Sequence, residues 1–221
     1  NFSSAGLSGV SITNPTSLDF GPDGRLYVAV QTGEIYAYTV QRQSTSSYQV
    51  TATETILDIK QIVNHNDNDG GIHNVVKRQR TALLVDGTAT SPIIYVTSSD
   101  YRIGGGGSSS DINLDSNSGI ISRLSWDGTK WVKVDLVRGF PRSEENHSTN
   151  GIQWDKVNNI LYVASGGNTN AGSPSNNFAF LTEYALSAAI LEIDLNDLNN
   201  RPILTDASSG AKYIYELTTL D

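Results

Sequence analysis

The sequence predicts an all-β chain built from repeated four-stranded sheets, and three observations predict it. Tyr27, Tyr95 and Tyr162 recur at spacings of 68 and 67 residues, each inside a strand rich in β-branched and aromatic residues. Tight-turn signals separate these strands from their neighbours. Helix signals are scarce: Thr182 to Ala189 reads as a turn or two of helix, or equally as a loop.

The repeat is visible in the residues. Pro15 to Val30 reads P-T-S-L-D-F-G-P-D-G-R-L-Y-V-A-V, Pro92 to Ser98 reads P-I-I-Y-V-T-S, and Asn150 to Ser165 reads N-G-I-Q-W-D-K-V-N-N-I-L-Y-V-A-S. A strand precedes each Tyr-Val strand: Ser17 to Phe20, Thr81 to Val85, and Gly151 to Trp154. Another follows it: Glu34 to Val40, Ile120 to Trp126, and Ala189 to Leu195. The fourth comes from Glu54 to Ile59, Trp131 to Val137, and Lys212 to Leu217. Gly21-Pro22-Asp23-Gly24, Asp127-Gly128 and Val157-Asn158-Asn159 supply hairpin turns. Four short strands per unit in series is the pattern of a β-propeller blade.

The chain therefore reads as a single partial propeller domain over 1–221, with blades near 10–65, 75–140 and 147–221. Propellers close with about four to eight blades. A free three-blade chain would leave two apolar faces bare. We expect half of a six-bladed ring, completed by a complementary half or by a second copy. Asn1 is no translational start, so a processed or cleaved product is expected.

Composition bounds the chemistry. There is no cysteine and no methionine, which excludes disulfides, thiol catalysis and zinc–thiolate sites. The formal charge of −8 argues against nucleic acid as a partner. The short basic run Lys77-Arg78-Gln79-Arg80 reads as a solvated turn flank. No apolar run approaches the roughly 20 residues that span a bilayer, so no membrane insertion is expected. Abundant Ser, Thr, Asn, Asp and Gly suits a secreted, periplasmic or extracellular protein.

Two long loops carry oxygen ligands. The first, Asn64 to Asn74, contains Asp67 and Asp69 with His65 and His73. It suits a hard cation such as calcium, a transition metal through the histidines, or an Asx-rich turn cluster. The second holds Asp111, Asn113, Asp115 and Asn117 after a glycine run at Gly104 to Gly107. Oxygen side chains at alternate positions suit calcium, but Ser116 and Ser122 stand where an EF-hand has Gly and Glu, so the alternatives are a different calcium site or an ordinary loop. The glycine run lacks the Lys-Ser/Thr ending of a phosphate loop.

The loop Gly139-Phe140-Pro141-Arg142-Ser143-Glu144-Glu145-Asn146-His147-Ser148-Thr149 carries the sharpest chemistry. His147 enters a blade's first strand, where it would face a central channel. Glu144, Glu145 and Asn146 flank it, positioned to orient the ring and tune its basicity.

With these residues the chain resembles the soluble quinoprotein glucose/sorbosone dehydrogenases, six-bladed propellers that bind pyrroloquinoline quinone (PQQ) over the central channel. Pro15 to Asp23 is similar to that family's opening strand and hairpin. Asn64 to Val96, Gly139 to Ile152 and Leu186 to Asp194 follow in the family's order. The resemblance implies that His147 is the general base taking the sugar's anomeric hydroxyl proton, with Asn146 in place of the usual acidic neighbour. Ala188-Ala189 and Glu192 depart from the family's Gly-Lys and Arg. The family's PQQ-clamping cations and cofactor calcium belong to its second half, so PQQ is expected only in a completed propeller, and this chain alone is expected to be inactive. A second reading is a non-catalytic propeller that binds carbohydrate or protein within a large extracellular protein.

Overall fold

The computed structural model describes residues 4–106, 110–169, 172 and 174–218. Gly107 and Ser108 of the glycine run, and Thr219 to Asp221, lie outside the described residues.

The chain is all-β. The first sheet takes in β1 (Gly6–Ser8), β2 (Pro15–Phe20), β3 (Leu26–Val30), β4 (Ile35–Ser44) and β5 (Ser47–Ile56). Strands β2 to β5 form an antiparallel meander, and β1 adds parallel to β5. A small hairpin follows, β6 (Asn64–His65) with β7 (Ile72–His73). The second sheet is a meander of β8 (Gln79–Thr88), β9 (Ser91–Ser99), β10 (Gly119–Trp126) and β11 (Trp131–Phe140). The third holds β12 (Thr149–Asp155), β13 (Ile160–Ser165) and β14 (Ala189–Asp194). The expected hairpin turn after β2 forms as read: Gly24 has φ of 78° and its amide donates to the Gly21 carbonyl at 2.9 Å.

The expected outer strand of the third unit is corrected. After β14, Asp194 caps a short helix, α1 (Leu195–Asn199), its carboxylate accepting from the amides of Asn196 and Asp197. Leu195 and Leu198 bury themselves, which turns the chain away from β14. Next come β15 (Leu204–Thr205) and β16 (Lys212–Glu216), and β16 runs parallel on β11 of the second sheet. Arg138 explains the choice: it pairs with Asp206 and Glu216 and lies 3.8 Å over the Tyr213 ring. Thr182 to Ala189 is turns rather than helix.

The middle sheet is packed on both faces, which is why β9 reads as a continuous apolar run rather than an alternation. Tyr27, Ala29, Ile35 and Ile56 of the first sheet meet Leu83, Val85, Ile94 and Val96 of the second. Tyr95, Ile121, Val134 and Leu136 meet Leu161, Val163 and Ile193 of the third, with Ile152 and Trp154 against them. The free edge of β8 is satisfied by side chains: Leu83 N–H donates to Ser17 Oγ at 3.2 Å, and Val85 N–H to Asp19 Oδ2 at 2.9 Å.

The two outward faces, expected to be bare and apolar in a free chain, are partly covered or mixed in character and keep some exposed apolar residues. The outward face of the first sheet buries Val28, Tyr38 and Val50 beneath Leu7, Val10 and Ile12 of the N-terminal segment. Leu18 and Phe20 remain exposed there. The outward face of the third sheet mixes exposed Ile190 with exposed Gln153 and Glu192.

Candidate functional site

The loop between β11 and β12 is tied to itself. Ser143 N–H donates to the His147 carbonyl at 2.8 Å, and His147 N–H returns to Ser143 Oγ at 2.8 Å. Arg142 is fully buried beneath it and donates to the carbonyls of Asp100 at 3.3 Å and Arg102 at 2.6 Å, and to that of Ser143. Burial pushes its guanidinium down to about 10.

His147 is half-buried and its ring is fixed by two contacts. Nδ1 stands 2.8 Å from the Gly167 carbonyl oxygen. A carbonyl only accepts, so Nδ1 carries the proton and Nε2 carries the lone pair. The ring packs on buried Phe178, centroids 4.9 Å apart. Gly166 lets the segment approach: a Cβ there would lie 2.7 Å from the Cβ of His147. Glu183 holds the acceptor in place, taking the Asn168 amide at 2.8 Å, while Asn168 Nδ2 donates to the Thr182 carbonyl at 2.6 Å. Gly167 and Glu183 were not singled out in the sequence. Their signal is geometric, 20 and 36 residues beyond the histidine.

The flanking residues do other work than expected. The ring is oriented by Gly167, not by Glu144, Glu145 or Asn146. Asn146 is exposed, and its side chain makes no hydrogen bond among the described residues. Glu144 is buried, and burial lifts its carboxyl to about 7, against nearby Arg142 and Arg102 that oppose the shift. Its Oε1 accepts from Ile112 N–H and its carbonyl from Gly104 N–H at 2.7 Å. It pins the glycine-rich loop.

The two oxygen-rich loops dock on one another. Asn68 N–H donates to Asn113 Oδ1 at 2.7 Å, and Ser116 Oγ to Asp67 Oδ2 at 3.0 Å. Asp67 and Asp115 come close enough for their charges to interact, and burial, its largest cause, raises the Asp115 carboxyl. Asp69, Asp111 and Asp115 each accept from an amide two residues on, that of Gly71 at 2.8 Å, Asn113 at 2.7 Å and Asn117 at 2.9 Å. These are Asx turns. Among the described residues, no three His, Cys, Asp or Glu side chains gather to hold a metal ion.

The basic run is corrected at its arginines, while Lys77 is exposed as expected. Arg78 and Arg80 are 1% and 0% exposed. Arg78 donates to Asn64 Oδ1 at 2.9 Å and to the Ser118 carbonyl, tying both oxygen-rich loops to the sheet. Arg80 donates to the carbonyls of Gly33 at 3.3 Å and Glu34 at 2.8 Å, joining the second sheet to the first. Burial lowers Arg80 to about 9 and Arg78 to about 10. The available signal was their position at the start of a strand running on into Leu83 and Val85. Beside these loops lies a cavity of about 540 Å³, walled by Asp58, Asp115, Lys133, Asp135 and Arg138.

No family model matches the chain, and no curated protein does. Among solved structures it is similar to a calcium structure of Trichoderma reesei Carbohydrate-Active Enzymes Family AA12, at 15% identity and a TM-score of 0.43, covering 91% of this chain and 40% of that one. An iodide structure of the same family gives 15% identity and a TM-score of 0.44, covering 86% and 38%. The chain spans about two fifths of the length of these structures.

Proposed function

We propose that the three sheets are blades of a propeller of the quinoprotein sugar dehydrogenase type, and that His147 is its general base. The observation that carries this is the contact of His147 Nδ1 with the Gly167 carbonyl oxygen. With Nδ1–H held by Gly167, Nε2 is left as the proton acceptor. It takes the hydroxyl proton of an aldose-type substrate, and the resulting imidazolium keeps its bond to Gly167. A quinone held by further blades would supply the hydride acceptor.

The residues of this chain do not fit the quinone's carboxylates. Clamping them needs cations with free donors. Arg142 and Arg78 spend theirs on backbone carbonyls and Asn64, and Arg102 spends its donors on Asp100, Asn66 and the His65 carbonyl. Among the described residues the oxygen-rich loops bring no three acidic or histidine side chains together. In this reading the chain contributes the base, further blades contribute the clamp, and the assembly works outside the cell. No helix among the described residues is long and apolar enough to cross a membrane.

The test uses the completed propeller with added quinone, an aldose and a reducible dye. His147→Ala and His147→Gln are expected to lose about 10²–10⁴-fold in turnover, with the melting temperature little changed. Normal turnover in either variant overturns the assignment. The committed arginines equally favour a non-catalytic carbohydrate- or protein-binding propeller. That reading gains if the completed wild type binds no quinone and oxidises no aldose.

A further inference from the structure

The seam between the second and third sheets changes character along its length. At one end it is apolar: Tyr95 and Trp154 meet with ring centroids 5.5 Å apart, and Leu161 and Val163 lie among them. Next come two threonines that satisfy the start of β12. Thr97 Oγ1 donates to the Asn150 carbonyl at 3.1 Å, and Thr81 Oγ1 to that of Thr149.

One step further, four buried polar atoms have no hydrogen-bond partner among the described residues: Gln79 Oε1, Ser99 Oγ, Thr149 Oγ1 and Ser165 Oγ. Their side chains are 8%, 0%, 0% and 7% exposed. The register places all four on the seam. Gln79 pairs with Ser99, two residues beyond Thr97 on the face that looks at the third sheet. Thr149 pairs with Ser165, two residues beyond Val163 on the face that looks back. The start of β12 is anchored beside β8 and β9 by the two threonines, so the pairs confront each other.

We propose that this end of the seam is a buried water-binding site. The chemistry selects water. One amide oxygen and three hydroxyls are neutral, so they give an ion nothing to neutralise it. The hydroxyls can both donate and accept, as water does, and the amide oxygen accepts. A buried water makes about three hydrogen bonds, so about two molecules satisfy all four groups. The proposal stands whether or not His147 is a base.

Substitution separates a wet seam from a dry one by sign. If waters bridge these groups, Ser99→Ala and Thr149→Val each leave a bridging water short of a bond, and each lowers the melting temperature by about 2–4 °C. The double variant then loses less than the sum, because both hydroxyls serve the same waters. In a dry seam, deleting an unpaired buried hydroxyl removes a desolvation penalty and the melting temperature rises. That rise would overturn the proposal. Should a variant fail to fold, amide-to-water cross-relaxation on the wild-type chain decides. Long-lived water signals at the amides of Thr149 and Gly166 support the site, and their absence overturns it. A high-resolution crystal structure with an ion or a polyol in the seam would also overturn it.

Discussion

The two seams of the molecule begin alike and end differently. Both are apolar over most of their length, one around Tyr27, Ile94 and Val96, the other around Tyr95, Leu161 and Val163. At the polar end of the first, Arg80 crosses from the second sheet to carbonyls at the β3–β4 turn. At the polar end of the second, short hydroxyl side chains face each other and the sheets are joined through Thr81 and Thr97. A long cation reaches across a gap and satisfies acceptors itself. Hydroxyls of Ser and Thr reach only their immediate neighbours. The first seam is thus a fixed joint, and the second holds the polar ground on which the His147 loop stands.

The largest expected effect breaks the fixed joint. Arg80→Ala removes two charge-assisted hydrogen bonds, leaves the buried Gly33 carbonyl without that donor and the Glu34 carbonyl with the Val30 amide alone, and opens a cavity. We expect a loss of about 3–5 kcal/mol in urea denaturation. A loss below about 1 kcal/mol would mean that apolar packing and the Ser17 and Asp19 contacts join these sheets without Arg80, and the contrast between the seams would vanish.

The sequence made the strands legible because alternation and turn chemistry are local. Tyr27, Tyr95 and Tyr162 each lie in β3, β9 or β13, and Gly24 turns the chain where its φ requires. Three features were not legible because distant partners decide them. The final strand, β16, goes to β11 because Arg138 gathers Asp206, Tyr213 and Glu216. Arg78 and Arg80 look solvated in sequence because charge normally is, and only the facing carbonyls explain their burial. The N-terminal segment covers Val28 and Tyr38 with residues too few to read as a unit. At the candidate site, His147 was readable from its motif. Its orienting partner was not, since a backbone carbonyl leaves no mark in side-chain chemistry.

A middle-sized effect concerns pH at the end of the second seam. Glu144 is held near 7 by burial, well above an ordinary glutamate. Between those two values the folded chain keeps a proton that the unfolded chain has released, so stability falls as pH rises through that window. Above about 7 both forms are ionised and the loss is complete. Glu144→Gln stays neutral and keeps an oxygen for the Ile112 amide. The variant is expected to match the wild type at pH 5 and exceed it in melting temperature at pH 8. The difference between the two curves isolates Glu144 from every other pH-dependent contribution. A flat difference would show that Glu144 is ionised throughout, and that the loop it pins is held by charge.

The smallest effect tests whether charge or burial distinguishes the seams. The second seam does have an ion pair across it, Lys156 of the third sheet with Asp86 of the second, at the rim far from His147. Lys156 is 66% exposed and also lies over the Trp154 ring at 5.3 Å. Water competes for its ammonium, and Asp86 keeps a second partner in the Gly87 amide at 2.7 Å. Lys156→Ala is therefore expected to cost about 0.2–1 kcal/mol and to cost less still in high salt. Arg80 carries the same formal charge but sits in the interior, where water does not compete for its bond to the Gly33 carbonyl. If Lys156→Ala were as damaging as Arg80→Ala, cross-sheet charge itself would be the joint, and the second seam would be as fixed as the first. A small, salt-sensitive effect instead assigns the difference to burial, and leaves the third sheet tied to the second by packing and short hydroxyl contacts.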